Sequence, residues 1–356
     1  MLIAIILTVI PVTVFFIVFP IAASSVYKSV FGKRYQTPSW IKYSTGDFDG
    51  LQVERSDFQS AGVTLAGYKY FKNSQKINGL VIVAHGLGGG GHNSYMPFID
   101  YFTSNGYLVF TYDARGNDNS GGYCVGGLPQ GIVDLDNAIN YAGSIEEYTN
   151  LPIVLFGHSW GGYSVGNVLN LHSEVKAAVI IAGFNSSTDL ISYQGERMVG
   201  KIARVLPPYI RLLERFKFGR KYASLTAVQG MKKTDAGILI AHSKDDTTVP
   251  SQYGYDKYYT LFADSERFTF IHSEDKGHEY LMYSDNAKIR RDRLNADYKL
   301  YIENNGGVYT SELKAEYMTA HLDKKQCFEP DLIFMKNVIS LYDKYCSAEY
   351  KEQNNE

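Results

Sequence analysis

IVLFGHSWGG, residues 153–162, is the stretch that decides the fold. Ile153-Val154-Leu155-Phe156 reads as a buried core strand, and such a strand normally gives way to a polar turn. Here it runs into Gly157, presents Ser159 two residues later, and lands on Gly161-Gly162 before a helical pattern over 161–171. Gly157-His158-Ser159-Trp160-Gly161 fits G-x-S-x-G in the setting that motif requires, after a strand and before a helix. A sharp strand-to-helix turn strains the backbone at the serine, and bulky side chains at Gly157 or Gly161 would collide with it. The helix start beyond it offers free N–H groups and a positive dipole end to a developing oxyanion. Ser159 is therefore the candidate nucleophile.

Working outward, the pattern is strand, turn, helix, repeated. Strands are expected over 79–84, 107–112, 152–156, 175–182, 237–241 and 268–272. Helices are expected over 94–104, 133–146 and 253–262, and two β-like runs, 51–58 and 63–71, come first. Such alternation implies a mostly parallel sheet with helices on both faces. The interruption at about 184–233 is too long for an ordinary loop. It mixes apolar residues (Val205, Leu206, Ile210, Leu213) with cations (Arg197, Lys201, Arg204, Arg211), Glu196 and Glu214 being its acidic exceptions. We read it as a helical cap over one end of the sheet. Residues 286–356 read as a helical extension with a polar tail.

A serine nucleophile needs a base, and the chain has eight histidines. His278, in Asp275-Lys276-Gly277-His278, follows the last expected strand on a glycine-preceded loop, where loops after successive parallel strands converge. The base in turn needs a carboxylate to fix its tautomer. His242-Ser243-Lys244-Asp245-Asp246 offers two directly after the strand at 237–241, Asp245 and Asp246. His85-Gly86-Leu87-Gly88-Gly89-Gly90-Gly91-His92 follows the strand ending at Ala84, so its backbone can approach a bound carbonyl. The N–H groups of Leu87 and Trp160 are the expected oxyanion donors, with His85, Gly86, Gly157, His158 and Gly161 supporting the two turns. The glycine run is not a phosphate loop, because no lysine follows it: Gly91 leads into His92-Asn93-Ser94.

Composition constrains partners and compartment. A net charge of −2 gives no reason to expect nucleic acid, and the three widely spaced cysteines suggest neither a disulfide framework nor a zinc ribbon. No metal or organic cofactor is called for. Residues 2–23 contain no charged residue, and at about 1.5 Å per residue such a helix covers the roughly 30 Å hydrocarbon core of a bilayer. The expectation is a membrane anchor over 1–26 and a juxtamembrane linker over 27–50, ahead of a catalytic domain over 51–285. A signal peptide cleaved near Ala22–Ser25 is the alternative. Lys28, Lys33 and Arg34 follow the apolar run, which favours a cytoplasmic domain.

Over about residues 50–285 the chain resembles the α/β-hydrolase superfamily, in its serine aminopeptidase-like, monoacylglycerol lipase and lysophospholipase-like branch and especially its membrane-anchored bacterial members. Ala84-His85-Gly86, Tyr112-Asp113-Ala114-Arg115-Gly116, the Ser159 motif, Asp246-Thr247-Thr248-Val249-Pro250 and Gly277-His278 carry the resemblance. It implies a Ser159, Asp246, His278 triad, Asp-x-x-Val-Pro being how the acid loop runs in this family. One departure is Asp118, where the family often has glycine. The implied chemistry is hydrolysis through an acyl-enzyme. The expected substrate is an acyl or lipidic ester of monoacylglycerol or lysophospholipid type. An aminopeptidase, with Glu196 or Glu214 binding a free amine, is the alternative, and a non-catalytic binding protein on the same fold is a further one.

Overall fold

A computed structural model describes residues 13–73 and 77–347. Among the described residues there are ten strands: β1 Leu51–Arg55, β2 Phe58–Ser60, β3 Val63–Leu65, β4 Gly67–Lys72, β5 Gly79–Ala84, β6 Tyr107–Tyr112, β7 Ile153–His158, β8 Ala177–Ile181, β9 Gly237–Ser243 and β10 Phe268–Ser273. Eight of them form one sheet in the order β1-β4-β6-β5-β7-β8-β9-β10, while β2 and β3 make a separate hairpin. From β6 to β10 every pairing is parallel; β4 and β1 join antiparallel at the edge. This is the mostly parallel sheet that the alternation implied.

All six residues of β5 and of β6 are buried, as both faces of the sheet are covered. Strand alternation divides the core in two. Leu80, Ile82, Leu155, Ile180 and Ile240 point to one face, beneath α3 (Pro129–Ser144) and α4 (Trp160–Val168). Val81, Val83, Phe156, Val179 and Leu239 point to the other, where α2 (Met96–Ser104) brings Phe98 and Phe102.

At the N-terminus the structure differs from the expected boundaries. Residues 1–12 of the expected span lie outside the described residues, and among those described no helix is long and apolar enough to cross a membrane. Helix α1, Phe19–Phe31, runs through the boundary placed at residue 26, so the linker expected from residue 27 starts inside a helix. Ala23, Tyr27 and Phe31, four residues apart, form one buried stripe. Ala23 closes the uncharged run, while Tyr27 and Phe31 lie in the expected linker, so the protein-facing stripe crosses the boundary between the two.

That stripe meets the insertion, which is helical as expected: α5 Ser187–Val199, a 3₁₀ segment Gly200–Val205, α6 Pro207–Ala223 and α7 Ala227–Lys233. Phe15 and Phe19 meet the Tyr209 ring with centroids 5.6 and 6.0 Å apart. Tyr27 donates its hydroxyl to Glu214 Oε1 at 3.1 Å, and Ser187 donates to Oε2. Burial drives the Glu214 carboxyl up to about 7 from an ordinary 4.5, against the lowering effect of those donors.

The unfolded chain loses this proton near pH 4.5 and the folded chain near 7, so stability falls across that window as pH rises. The loss is on the order of 3 kcal/mol. Glu214→Gln should remove most of that slope. Denaturant unfolding should show the variant gaining on wild type by about 2–3 kcal/mol between pH 4.5 and 8. Parallel curves for the two proteins would contradict the assignment.

Helix α8 (Tyr255–Phe262) leads into β10, and beyond that strand come α9 (Asp285–Asn304), α10 (Ser311–His321), α11 (Lys324–Cys327) and α12 (Leu332–Cys346). The C-terminal part is helical as expected, yet it is no mere appendage to a domain ending at 285. Met335, Val338 and Tyr342 of α12 are fully buried in the second core face, and Tyr342 donates its hydroxyl to Leu155 O at 2.9 Å.

Candidate active site

The carboxyl ends of β5, β7, β9 and β10 bring four loops to one edge. At the end of β7 the backbone of Ser159 takes φ 56° and ψ −115°, a conformation that costs a non-glycine residue roughly 1–3 kcal/mol. The neighbouring glycines make it attainable. A Cβ at Gly157 would stand 2.4 Å from Gly161 O, and one at Gly161 only 1.9 Å from Ala84 O. Ser159 N–H is fixed to Ile181 O at 2.8 Å.

The loop after β10 carries His278 to the serine. Its Nε2 lies 2.8 Å from Ser159 Oγ, and its Nδ1 lies 2.7 Å from Asp246 Oδ2. The loop after β9 holds Asp246 in turn: Oδ1 accepts the backbone N–H groups of Thr248 and Val249, both at 2.8 Å. Burial alone would raise the Asp246 pKa. Hydrogen bonds from His242 and His278, the His278 charge and the Val249 N–H outweigh it and hold the carboxyl well below the ordinary range. Asp245 has a different task, accepting Gly277 N–H at 2.8 Å and the Ser243 hydroxyl, and so shapes the turn ahead of His278.

A second chain of hydrogen bonds joins the loop after β5 to the His278 loop. Gly86 N–H donates to Tyr95 Oη at 2.9 Å, Tyr95 Oη is 3.2 Å from His158 Nδ1, and His158 Nε2 is 2.9 Å from His278 O. With His158 neutral, each donor meets an acceptor: Tyr95 O–H gives to Nδ1, and Nε2–H gives to the carbonyl. Burial and the neighbouring His278 push His158 down to about 4, which keeps it neutral. His85 is buried beside it, its Nε2 accepting Ala114 N–H at 2.9 Å.

Asp118 occupies the position where the family often has glycine and takes φ 30°. Its carboxylate accepts Thr37 N–H at 2.6 Å and Gly91 N–H at 2.9 Å, bracing the glycine loop against the segment after α1. A Cβ at Gly90 would come within 2.2 Å of Thr37.

Leu87, Ser159, Trp160, His278 and Glu279 line one cavity of about 250 Å³, reached also by Leu190 and Gln194 of α5. Glu196 and Glu214, the acids expected to bind an amine, are elsewhere. Glu196 pairs with Arg204 on the surface at 2.7 Å, and Glu214 is buried against α1, because Tyr27 and Ser187 supply the donors it needs. The acid on the cavity wall is Glu279, which the sequence reading missed; its adjacency to His278 was the available signal. Three further histidines have structural partners: His92 faces Asp113 at 2.7 Å, His172 faces Asp136 at 2.7 Å, and His242 faces Val249 O at 2.7 Å.

Comparison with known proteins finds relatives in sequence and in fold. A family profile described as "Serine aminopeptidase, S33" matches residues 75–235. The quorum-quenching protein AidA of Acinetobacter baumannii is 27% identical over 141 residues, 36% of this chain and 45% of that protein. The monoglyceride lipase of Saccharomyces cerevisiae is 26% identical over 159 residues, 40% of this chain and 47% of that protein. The chain thus spans about half the length of the curated relatives it matches. Among solved structures, an esterase of Pyrococcus furiosus superposes with a TM-score of 0.54 at 14% identity, covering 76% of this chain and 98% of that one, a likeness of fold. The chain has the α/β-hydrolase fold, is similar over residues 75–235 to the serine aminopeptidase family, and its site has the construction of a serine hydrolase.

Proposed function

We propose that the protein cleaves carboxylic esters of acyl or lipidic type through an acyl-enzyme on Ser159. The observation that carries this reading is the His278 ring spanning Ser159 Oγ and Asp246 Oδ2 at 2.8 and 2.7 Å. His278 takes the serine proton as Ser159 attacks the carbonyl, then returns it to the leaving oxygen; water repeats the cycle to release the acid. Leu87 and Trp160 N–H groups receive the oxyanion. Leu87, Leu128, Trp160, Phe184, Leu190 and Val249 make the cavity wall largely apolar, which favours an acyl chain over a free amino terminus.

Each buried methylene is worth about 0.8 kcal/mol, roughly fourfold in kcat/KM. Across p-nitrophenyl esters from acetate upward, kcat/KM should rise by about that factor per carbon until the cavity fills, and should exceed that of every aminoacyl p-nitroanilide. If the anilides are the better substrates, the protein is the aminopeptidase instead.

The apolar run 2–23 holds this domain to a membrane, on its cytoplasmic side. Lys28 and Lys33 support that side; Arg34 is engaged with the carbonyls of Asp118 and Ser120 at 2.9 Å each. Carbonate-washed membranes should retain the protein, and protease added outside intact cells should spare it; release or cleavage would remove the respective claim.

A further inference from the structure

We propose that Glu279 makes the leaving-group end of the cavity selective for an ammonium group, so that esters with a cation on the alcohol side are preferred to matched neutral esters and anionic ones are disfavoured. The proposal rests on the serine-hydrolase reading above. His278 delivers its proton to the leaving oxygen, so the leaving group must sit beside that imidazole. Glu279 is the next residue on the same loop and lines the same cavity as Ser159.

The lining contains no lysine or arginine, and no ion pair within 4.0 Å engages Glu279 among the described residues. Its charge nevertheless reaches the site, favouring the protonated form of the buried His158 ring. Tyr95, Trp160 and Phe184 are the aromatic residues of the same wall, and aromatic faces with a carboxylate are the usual surroundings of a bound ammonium. A phosphate or carboxylate on the leaving group would face the Glu279 carboxylate with no lysine or arginine in the lining to offset it. Among acyl esters this favours neutral glycerol and amino-alcohol esters over monoacyl phosphates. Because Glu279 is exposed, solvent screens the effect to about fivefold in each direction.

The test uses three hexanoate esters of similar size, those of choline, 3,3-dimethylbutanol and 3-hydroxypropionate, followed by pH-stat on the full-length protein in detergent. In wild type, kcat/KM should rank choline above dimethylbutyl above carboxyethyl, with steps of about fivefold that shrink to about twofold in 0.5 M salt. Glu279→Gln should bring the three within about twofold, and Glu279→Lys should invert the order. Each preference is a ratio within one preparation, so loss of folded protein cancels. Turnover with no charge ranking in wild type, or a ranking that survives Glu279→Gln, overturns the proposal alone. No turnover of any ester, together with no fluorophosphonate labelling of Ser159, overturns the underlying reading and the proposal with it.

Discussion

Ser159→Ala lowers kcat on p-nitrophenyl esters by about 10⁵–10⁶-fold and abolishes labelling by a fluorophosphonate. The size follows from the geometry, in which Ser159 Oγ lies 2.8 Å from His278 Nε2. Without it no acyl-enzyme forms, and what remains is whatever the oxyanion donors and cavity do for direct attack by water. His278→Ala should cost nearly as much, and the double variant little more than either alone, because the two groups act as a unit. Circular dichroism should be unchanged, since removing one oxygen leaves the Ser159 N–H to Ile181 O bond in place. A Ser159→Ala protein that still turns over at more than about a hundredth of the wild-type rate would place the nucleophile elsewhere.

The parts of this site that were legible in the sequence are those where local sterics dictate composition. Gly157 and Gly161 must be small because the chain passes within van der Waals distance of itself there, so the constraint is written into neighbouring letters. His278 was legible because parallel topology forces loops after successive strands to one edge. What was not legible depends on partners far apart in sequence. Glu214 read as a candidate amine-binding acid of a cationic cap; its burial is made tolerable by hydroxyls from Tyr27 and Ser187, 187 and 27 residues away. The stripe Ala23, Tyr27, Phe31 straddles the expected anchor and the expected linker, because hydropathy does not tell which residues a protein face will bury. The departure at Asp118 resolves in the same way, since its carboxylate finds Thr37, 81 residues distant. Asp245 and Asp246 are adjacent letters, and residue type alone could not assign them; the hydrogen bonds of each do.

That division of labour fixes the second large effect. Asp246→Asn should lower kcat by about 10⁴-fold while leaving KM and the fold nearly unchanged. The asparagine carbonyl can still accept the Thr248 and Val249 N–H groups, which Asp246 Oδ1 accepts at 2.8 Å, so the loop keeps its shape. The amide nitrogen then faces His278 Nδ1 and donates to it, which forces the imidazole proton onto Nε2 and leaves no lone pair there to take the Ser159 proton. The stabilisation of the imidazolium by a carboxylate held ionised well below its ordinary range is lost as well. Raising the pH should recover part of the activity, because deprotonating Ser159 by hydroxide no longer needs the ring, whereas wild type should be flat there. Asp245→Asn is the internal comparison: its carboxylate touches Gly277 N–H and Ser243, not the imidazole, and asparagine can accept both bonds. It should cost no more than about tenfold, roughly the worth of one weakened hydrogen bond on a positioning loop. Stopped-assay kcat values for the two variants, measured side by side, decide the matter: a larger loss at 245 than at 246 would exchange the roles that these bonds assign.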